Sequence, residues 1–155
     1  EEGAKVFVTD INQDHLKSIA SKYNAEIVSL DGIYDVDADI YAPCALGATL
    51  NTENIARLKC QVISGAANNQ LADEYVHGPM LEQKGILYAP DFLINAGGLI
   101  NVFSELHGYD RKVAIQHTEA IYDTTLEVFK KAIAEKISTI EAAKKIAEER
   151  IALKK

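Results

Sequence analysis

No apolar run in this chain reaches the roughly 18 residues that a membrane-spanning helix needs, and the start, Glu1-Glu2-Gly3-Ala4, has neither a basic nor an apolar stretch. Neither a membrane span nor a secretory leader is expected, and the cytoplasm is the expected compartment. Cysteine is scarce. Cys44 and Cys60 have no CxxC spacing and no histidine at metal-ligand distance in sequence, so no zinc site or disulfide framework is expected and both read as small buried apolar residues. Aromatics make up 7% and no Lys/Arg stripe runs between them, which argues against a nucleic-acid partner; the net charge of −7 serves solubility.

Chemically versatile side chains are equally sparse. His15, His77, His107 and His117 sit in helical contexts with no matched partner in sequence, and surface or packing roles suit them. The lysines fall mainly on polar helix faces or at chain ends, without the apolar, glycine-rich surroundings that would lower an amine pKa. No nucleophile or acid-base pair stands out.

What remains is a 155-residue chain, 48% hydrophobic and 25% charged, with material for one core. Lys5–Asp10, Ala25–Leu30, Asp39–Pro43, Gln61–Ser64 and Ile86–Ala89 read as short strands. Between them lie helical patterns: one opened by Asn12, one over Thr52–Leu58 capped by Asn51 or Thr52, and one from Leu71 that breaks at His77-Gly78-Pro79 and stops at Gly85. A short helix after Gly97-Gly98 ends near Gly108. Asp110 then caps a long amphipathic helix, and Ser138 with Glu141 forms a capping box for the last one. Alternation of short strands and helices predicts an α/β protein, a Rossmann-like doubly wound parallel sheet over residues 1–108 followed by C-terminal helices over 110–155.

In such a sheet ligands bind beyond the carboxyl ends of the strands, and the unusual residues cluster there. Asp10, the loop Cys44-Ala45-Leu46-Gly47-Ala48, the run Ala67-Asn68-Asn69, and Asn95-Ala96-Gly97-Gly98 each follow a strand. Their small residues let backbone approach a ligand, and the amides of Asn68, Asn69 and Asn95 can donate and accept without adding charge. Alternatively, these asparagines hold turns, and Asp10 only starts a turn or caps the helix after it. Read as a ribose ligand, Asp10 repels a 2′-phosphate, and the neighbouring Ile11 is no arginine, so NAD is favoured over NADP.

One expected part is missing. A ribose-binding acid follows the G-x-G-x-x-G turn by about 20 residues, yet nine residues precede Asp10. The first strand and phosphate-binding turn are therefore expected outside this sequence, with Glu1-Glu2-Gly3 as the tail of the helix such a turn opens and Gly3 at its C′ position.

The stretches VTDIN from Val8, APCALGATLN from Ala42, SGAANNQLAD from Ser64, YAPDFLINAGGLINV from Tyr88 and ELHGYD from Glu105 together resemble the glutamate, leucine, phenylalanine and valine dehydrogenases, and most closely the leucine-type branch. The resemblance implies reversible oxidative deamination of an L-amino acid to a 2-oxo acid and ammonia, with NAD as hydride acceptor. It implies that Asp10 and Ile11 lie at the adenosine ribose, that Cys44, Ala45, Leu46 and Gly47 run along the cofactor, and that Ala67, Asn68 and Asn69 lie near the nicotinamide. Asn95 would orient nicotinamide or substrate, and Leu99 and Val102 would line a pocket for a branched aliphatic side chain. The family's catalytic lysines and aspartate belong to a preceding substrate domain absent from this sequence, so no catalytic residue is assigned here, and a homo-oligomer is expected. Two rivals remain: a non-catalytic binding or assembly module derived from such a domain, and a different NAD-dependent oxidoreductase.

Overall fold

The computed structural model describes residues 3–106 and 108–153. Five two-residue strands alternate with helices: β1 (Phe7–Val8), α1 (Gln13–Tyr23), β2 (Glu26–Ile27), a 3-10 turn (Gly32–Asp35), β3 (Ile40–Tyr41), α2 (Thr52–Arg57), β4 (Val62–Ile63), α3 (Glu74–Gln83) and β5 (Leu87–Tyr88). Four helices complete the chain: α4 (Asp91–Ile94), α5 (Gly97–Leu106), α6 (Arg111–Glu135) and α7 (Thr139–Ala152). The strands are shorter than the sequence predicts, but each lies inside its expected segment.

Every ladder is parallel, as the crossover helices require. The strands do not, however, form one sheet. β1 pairs with β2 in one ladder and β3-β4-β5 form another, so the sheet, expected to lack its first strand, is split between β1 and β3. A cavity of 230 Å³ lies at the split, lined from one side by Val6 and Phe7 and from the other by Ile40, Tyr41 and Ala42.

Helix starts follow local chemistry. Asn12, Asn51, Asp110 and Ser138 each accept a backbone N–H of the first turn, satisfying donors that the helix itself cannot. Ser138 makes only half of the expected box, because the Glu141 carboxylate turns forward to Lys145 at 3.3 Å. Helix α3 departs from expectation at both points. It begins at Glu74, where Asp73 accepts from Tyr75 and Val76, and it runs unbroken through Pro79. His77 and Gly78 before the proline and Leu81 after it are all buried, so tertiary packing offsets the hydrogen bond that proline removes. Gly97 and Gly98 open α5 rather than forming a loop.

The main core gathers Leu50, Ile55, Ile63, Leu81, Tyr88 and Ile140 between the three-stranded ladder and helices α2, α3 and α7. A second cluster joins α6 to α7 through Val128, Ala132, Ala142 and Ile146. Along α6, the long amphipathic helix, Val128 is buried whereas Val113 and Ile133 are exposed. Cys60 is buried as expected; Cys44 is exposed, because it lies in the open loop after β3 whose tip, Leu46, stands in solvent. Gly3 has φ +81, the left-handed geometry of a C′ glycine, while Glu1, Glu2 and His107 lie outside the described residues. No described helix is long and apolar enough to cross a membrane.

Arg57 ties α2 to the 3-10 turn, reaching Asp31 and Asp35 at 2.7 Å each. Its hydrogen bonds hold both carboxyls below the ordinary aspartate value. A lowered folded-state value means stability present above the unfolded value and lost as pH falls through the folded one, so the clasp loosens below about pH 4. Arg57→Met should raise the titration of both aspartates toward the ordinary aspartate range, read by carboxyl-carbon NMR titration; unshifted titrations would refute the clasp.

Candidate functional site

The loops after β3 and β4 are interlocked. Ala67 N–H donates to the Pro43 carbonyl at 3.0 Å, Ala48 N–H to the Asn69 carbonyl at 2.5 Å, and Leu50 N–H to the Gln70 carbonyl at 2.9 Å. Two glycines allow this approach. A Cβ on Gly65 would stand 2.3 Å from the Pro43 oxygen, and one on Gly47 would stand 2.6 Å from the Asn69 oxygen. Ala48 and Asn69 accept positive φ values of 65 and 53 to close the contact. Neither glycine's steric role is visible in sequence, since the clash comes from a different loop.

The third loop joins through side chains. Asn95, at the C-terminus of α4, donates through Nδ2 to Asn68 Oδ1 at 2.5 Å and more distantly to the Ala66 carbonyl at 3.4 Å. This bond uses one Asn95 proton and one Asn68 lone pair, leaving the Asn68 amide as a donor and Asn95 Oδ1 as an acceptor. Asn68 and Asn69 also border a 600 Å³ cavity with Asp73, Tyr88, Asp91 and Phe92. Burial raises the Tyr88 pKa above the ordinary tyrosine value, and its hydroxyl oxygen accepts from Asp91 N–H at 3.4 Å.

The structure thus brings Cys44–Ala48, Ala67–Asn69 and Asn95 to one strand-end edge. Asp10 lies two residues beyond β1, on the far side of the split, exposed beside Ile11. One of its oxygens accepts Asn12 N–H at 2.7 Å, as a turn-forming aspartate does, and the other has no intramolecular donor recorded among the described residues. Leu99 and Val102 lie on α5 in solvent, 73% and 54% exposed, and do not line the cavity bordered by Asn68 and Asn69. The histidines follow their expected packing or surface roles: His15 and His117 are exposed, while His77 is buried, its Nδ1 accepting Asp73 N–H at 2.9 Å and its Nε2 facing the Thr52 hydroxyl at 3.2 Å. Sequence reading missed Gly47 as a steric element, Gly65, Gln70 and Asp91; the last three carry the geometry of the amide loops. All but Asp91 lie in strand-end runs dense in small and amide residues, the only signal that pointed to them.

Comparison places this arrangement. L-tryptophan dehydrogenase from Nostoc punctiforme has a solved structure that superposes with a TM-score of 0.93 at 45% identity, over 96% of this chain and 44% of that one. The fold is that of a parallel α/β amino-acid dehydrogenase. The chain belongs to the Glutamate/Leucine/Phenylalanine/Valine dehydrogenase family, whose sequence model matches residues 4–153. It is 55% identical to leucine dehydrogenase of Thermoactinomyces intermedius and 48% identical to phenylalanine dehydrogenase of Bacillus thermotolerans, each over 97% of this chain and 41% of the relative. The chain therefore spans about two fifths of the length of these relatives.

Proposed function

We propose that this chain is the C-terminal, NAD-binding portion of an amino-acid dehydrogenase that converts a branched-chain L-amino acid reversibly to its 2-oxo acid and ammonia. The observation that carries the reading is the Asn95–Asn68 bond, which fixes one amide donor and one amide acceptor where two strand-end loops meet. Such a pair suits a nicotinamide carboxamide or a substrate carboxylate, and it adds no charge beside a hydride-transfer centre. NAD, when bound, supplies the hydride acceptor. The chain's own residues then have holding roles: the second oxygen of Asp10 for the adenosine ribose, with Ile11 beside it; the backbone of Cys44, Ala45, Leu46 and Gly47 along the cofactor; Ala67, Asn68, Asn69 and Asn95 for its reactive end.

Leucine-like preference rests on Leu99 and Val102, which present aliphatic surface one helical turn apart. With Leu106 and Val113 they extend an exposed apolar face over α5 and the start of α6, suited to the substrate domain or to a second copy in a cytoplasmic homo-oligomer. On this reading residues 1–108 are the partial Rossmann-like sheet and 110–155 its C-terminal helices.

The test pairs calorimetry with kinetics. The protein extended to the length of its relatives should bind NADH and reduce NAD with leucine, valine or isoleucine faster than with phenylalanine, tryptophan or glutamate; the 155-residue chain should bind NADH weakly and oxidise none of them. Turnover by the short chain, absence of NADH binding in the long one, or preference for an aromatic or acidic substrate would overturn the corresponding part.

A further inference from the structure

Gln70, on the loop after β4, is fully buried and so offers no surface of its own to a ligand. Its Nε2 donates to two carbonyls, Gly65 O at 2.6 Å and Ala67 O at 2.9 Å. These bonds fix the carboxamide orientation, since the reversed amide would set Oε1 against both oxygens. Its backbone N–H donates to Asp91 Oδ2 at 2.9 Å, and its carbonyl accepts Leu50 N–H at 2.9 Å. One residue therefore ties together the segments after β3, β4 and β5.

Its remaining atom, Oε1, is buried without a hydrogen-bonding partner among the described residues. An apolar side chain would avoid the unpartnered Oε1 but would leave the Gly65 and Ala67 carbonyls without this donor, so packing alone is a poor reason for glutamine here. The two donated bonds give a better one. They grip the carbonyls on either side of Ala66, just before Asn68. The Gln70 N–H meanwhile holds Asp91, the first residue of the short helix that ends at Asn95. Both members of the Asn68–Asn95 pair are thus held through Gln70.

We propose that Gln70, acting with Asp91, is the positioning residue of the Asn68–Asn95 pair and so sets the affinity of the site for the nicotinamide end of the cofactor. The proposal rests on the cofactor-binding reading above. Gln70→Met keeps length and apolar volume but removes the grip. In the protein extended to the length of its relatives it should raise the NADH dissociation constant and the KM for NAD about tenfold. Hydrogen exchange of the Ala67, Asn68 and Asn69 amides should quicken while β4 stays protected. Loss of fold alone would lower the active fraction and leave KM unchanged.

Asp91→Asn keeps an acceptor for Gln70 N–H and should stay within about threefold of the unaltered protein, whereas Asp91→Leu should reproduce the Gln70→Met change. This second pair decides the matter should Gln70→Met not fold. Unaltered KM and exchange in both Gln70→Met and Asp91→Leu, with normal NADH binding by the parent, would overturn the positioning role alone. A parent that binds no NADH would overturn the cofactor reading itself, while quickened exchange of the loop amides would still uphold the grip of Gln70.

Discussion

Gly65→Ala is expected to destabilise the protein by about 3 kcal/mol and to weaken NADH binding at least about tenfold, a large effect for one methyl group. The added Cβ would lie 2.3 Å from the Pro43 oxygen, 2.4 Å from its nitrogen and 2.6 Å from its Cδ. Two of these atoms are backbone, and Pro43 is itself buried, so no flexible side chain can swing aside. The loops after β3 and β4 must part, which breaks the Ala67 to Pro43 bond and strains the Ala48 to Asn69 bond beyond it. Asn68 and Asn69 sit on the displaced loop, so stability and ligand affinity should fall together.

Gly98→Ala provides the contrast. Nothing lies within 4 Å of a Cβ at Gly98, in the first turn of α5, and alanine there should be neutral or stabilising by up to about 1 kcal/mol. Urea denaturation of the two variants checks the pair, with calorimetry for the affinity. Equal midpoints for Gly65→Ala and the parent would mean that the interlock is not rigid.

The same contrast marks what was legible in the sequence. Features set by neighbouring residues were: the caps at Asn12, Asn51, Asp110 and Ser138, the five strand segments, and the positions of the strand-end loops all follow from local chemistry and periodicity. Features set by another segment were not. Pro79 looks like a helix breaker until His77, Gly78 and Leu81 around it are seen buried, and Gly97-Gly98 looks like a loop although it opens a helix. Cys44 and Cys60 look alike in sequence, but one faces solvent and the other the core. The asparagines were noticed for their type, while Gln70 and Asp91, which hold them, were not, because an anchoring role appears only when carbonyls and amides from three loops meet. Asp10 remains compatible with both of its sequence readings, since one oxygen holds the turn while the side chain as a whole is exposed.

Supplying a parallel strand ahead of β1 is expected to raise the melting temperature by about 10 °C and tighten NADH binding at least about tenfold. The reason lies in the sheet. The chain steps outward from β1 to β2 on one side of the split and outward from β3 through β4 to β5 on the other, so both halves wind away from the slot between them. A strand preceding β1 that begins both windings belongs in that slot. β2 draws on the carbonyls of Val6 and Val8, and β4 on those of Asp39 and Tyr41, so by alternation the backbone groups of Phe7 and Ile40 face the slot. Val6, 41% exposed, and Ile40, 60% exposed, flank it. An inserted strand would pair both edges and bury this apolar surface, and the turn after it would add backbone donors for a pyrophosphate. Extension by one strand, turn and helix should therefore protect the Phe7 and Ile40 amides from hydrogen exchange, whereas extension by the strand alone should stabilise without the full gain in affinity. Unchanged exchange at Phe7 and Ile40 in both extended proteins would show that the split belongs to the native sheet and that the first strand lies elsewhere.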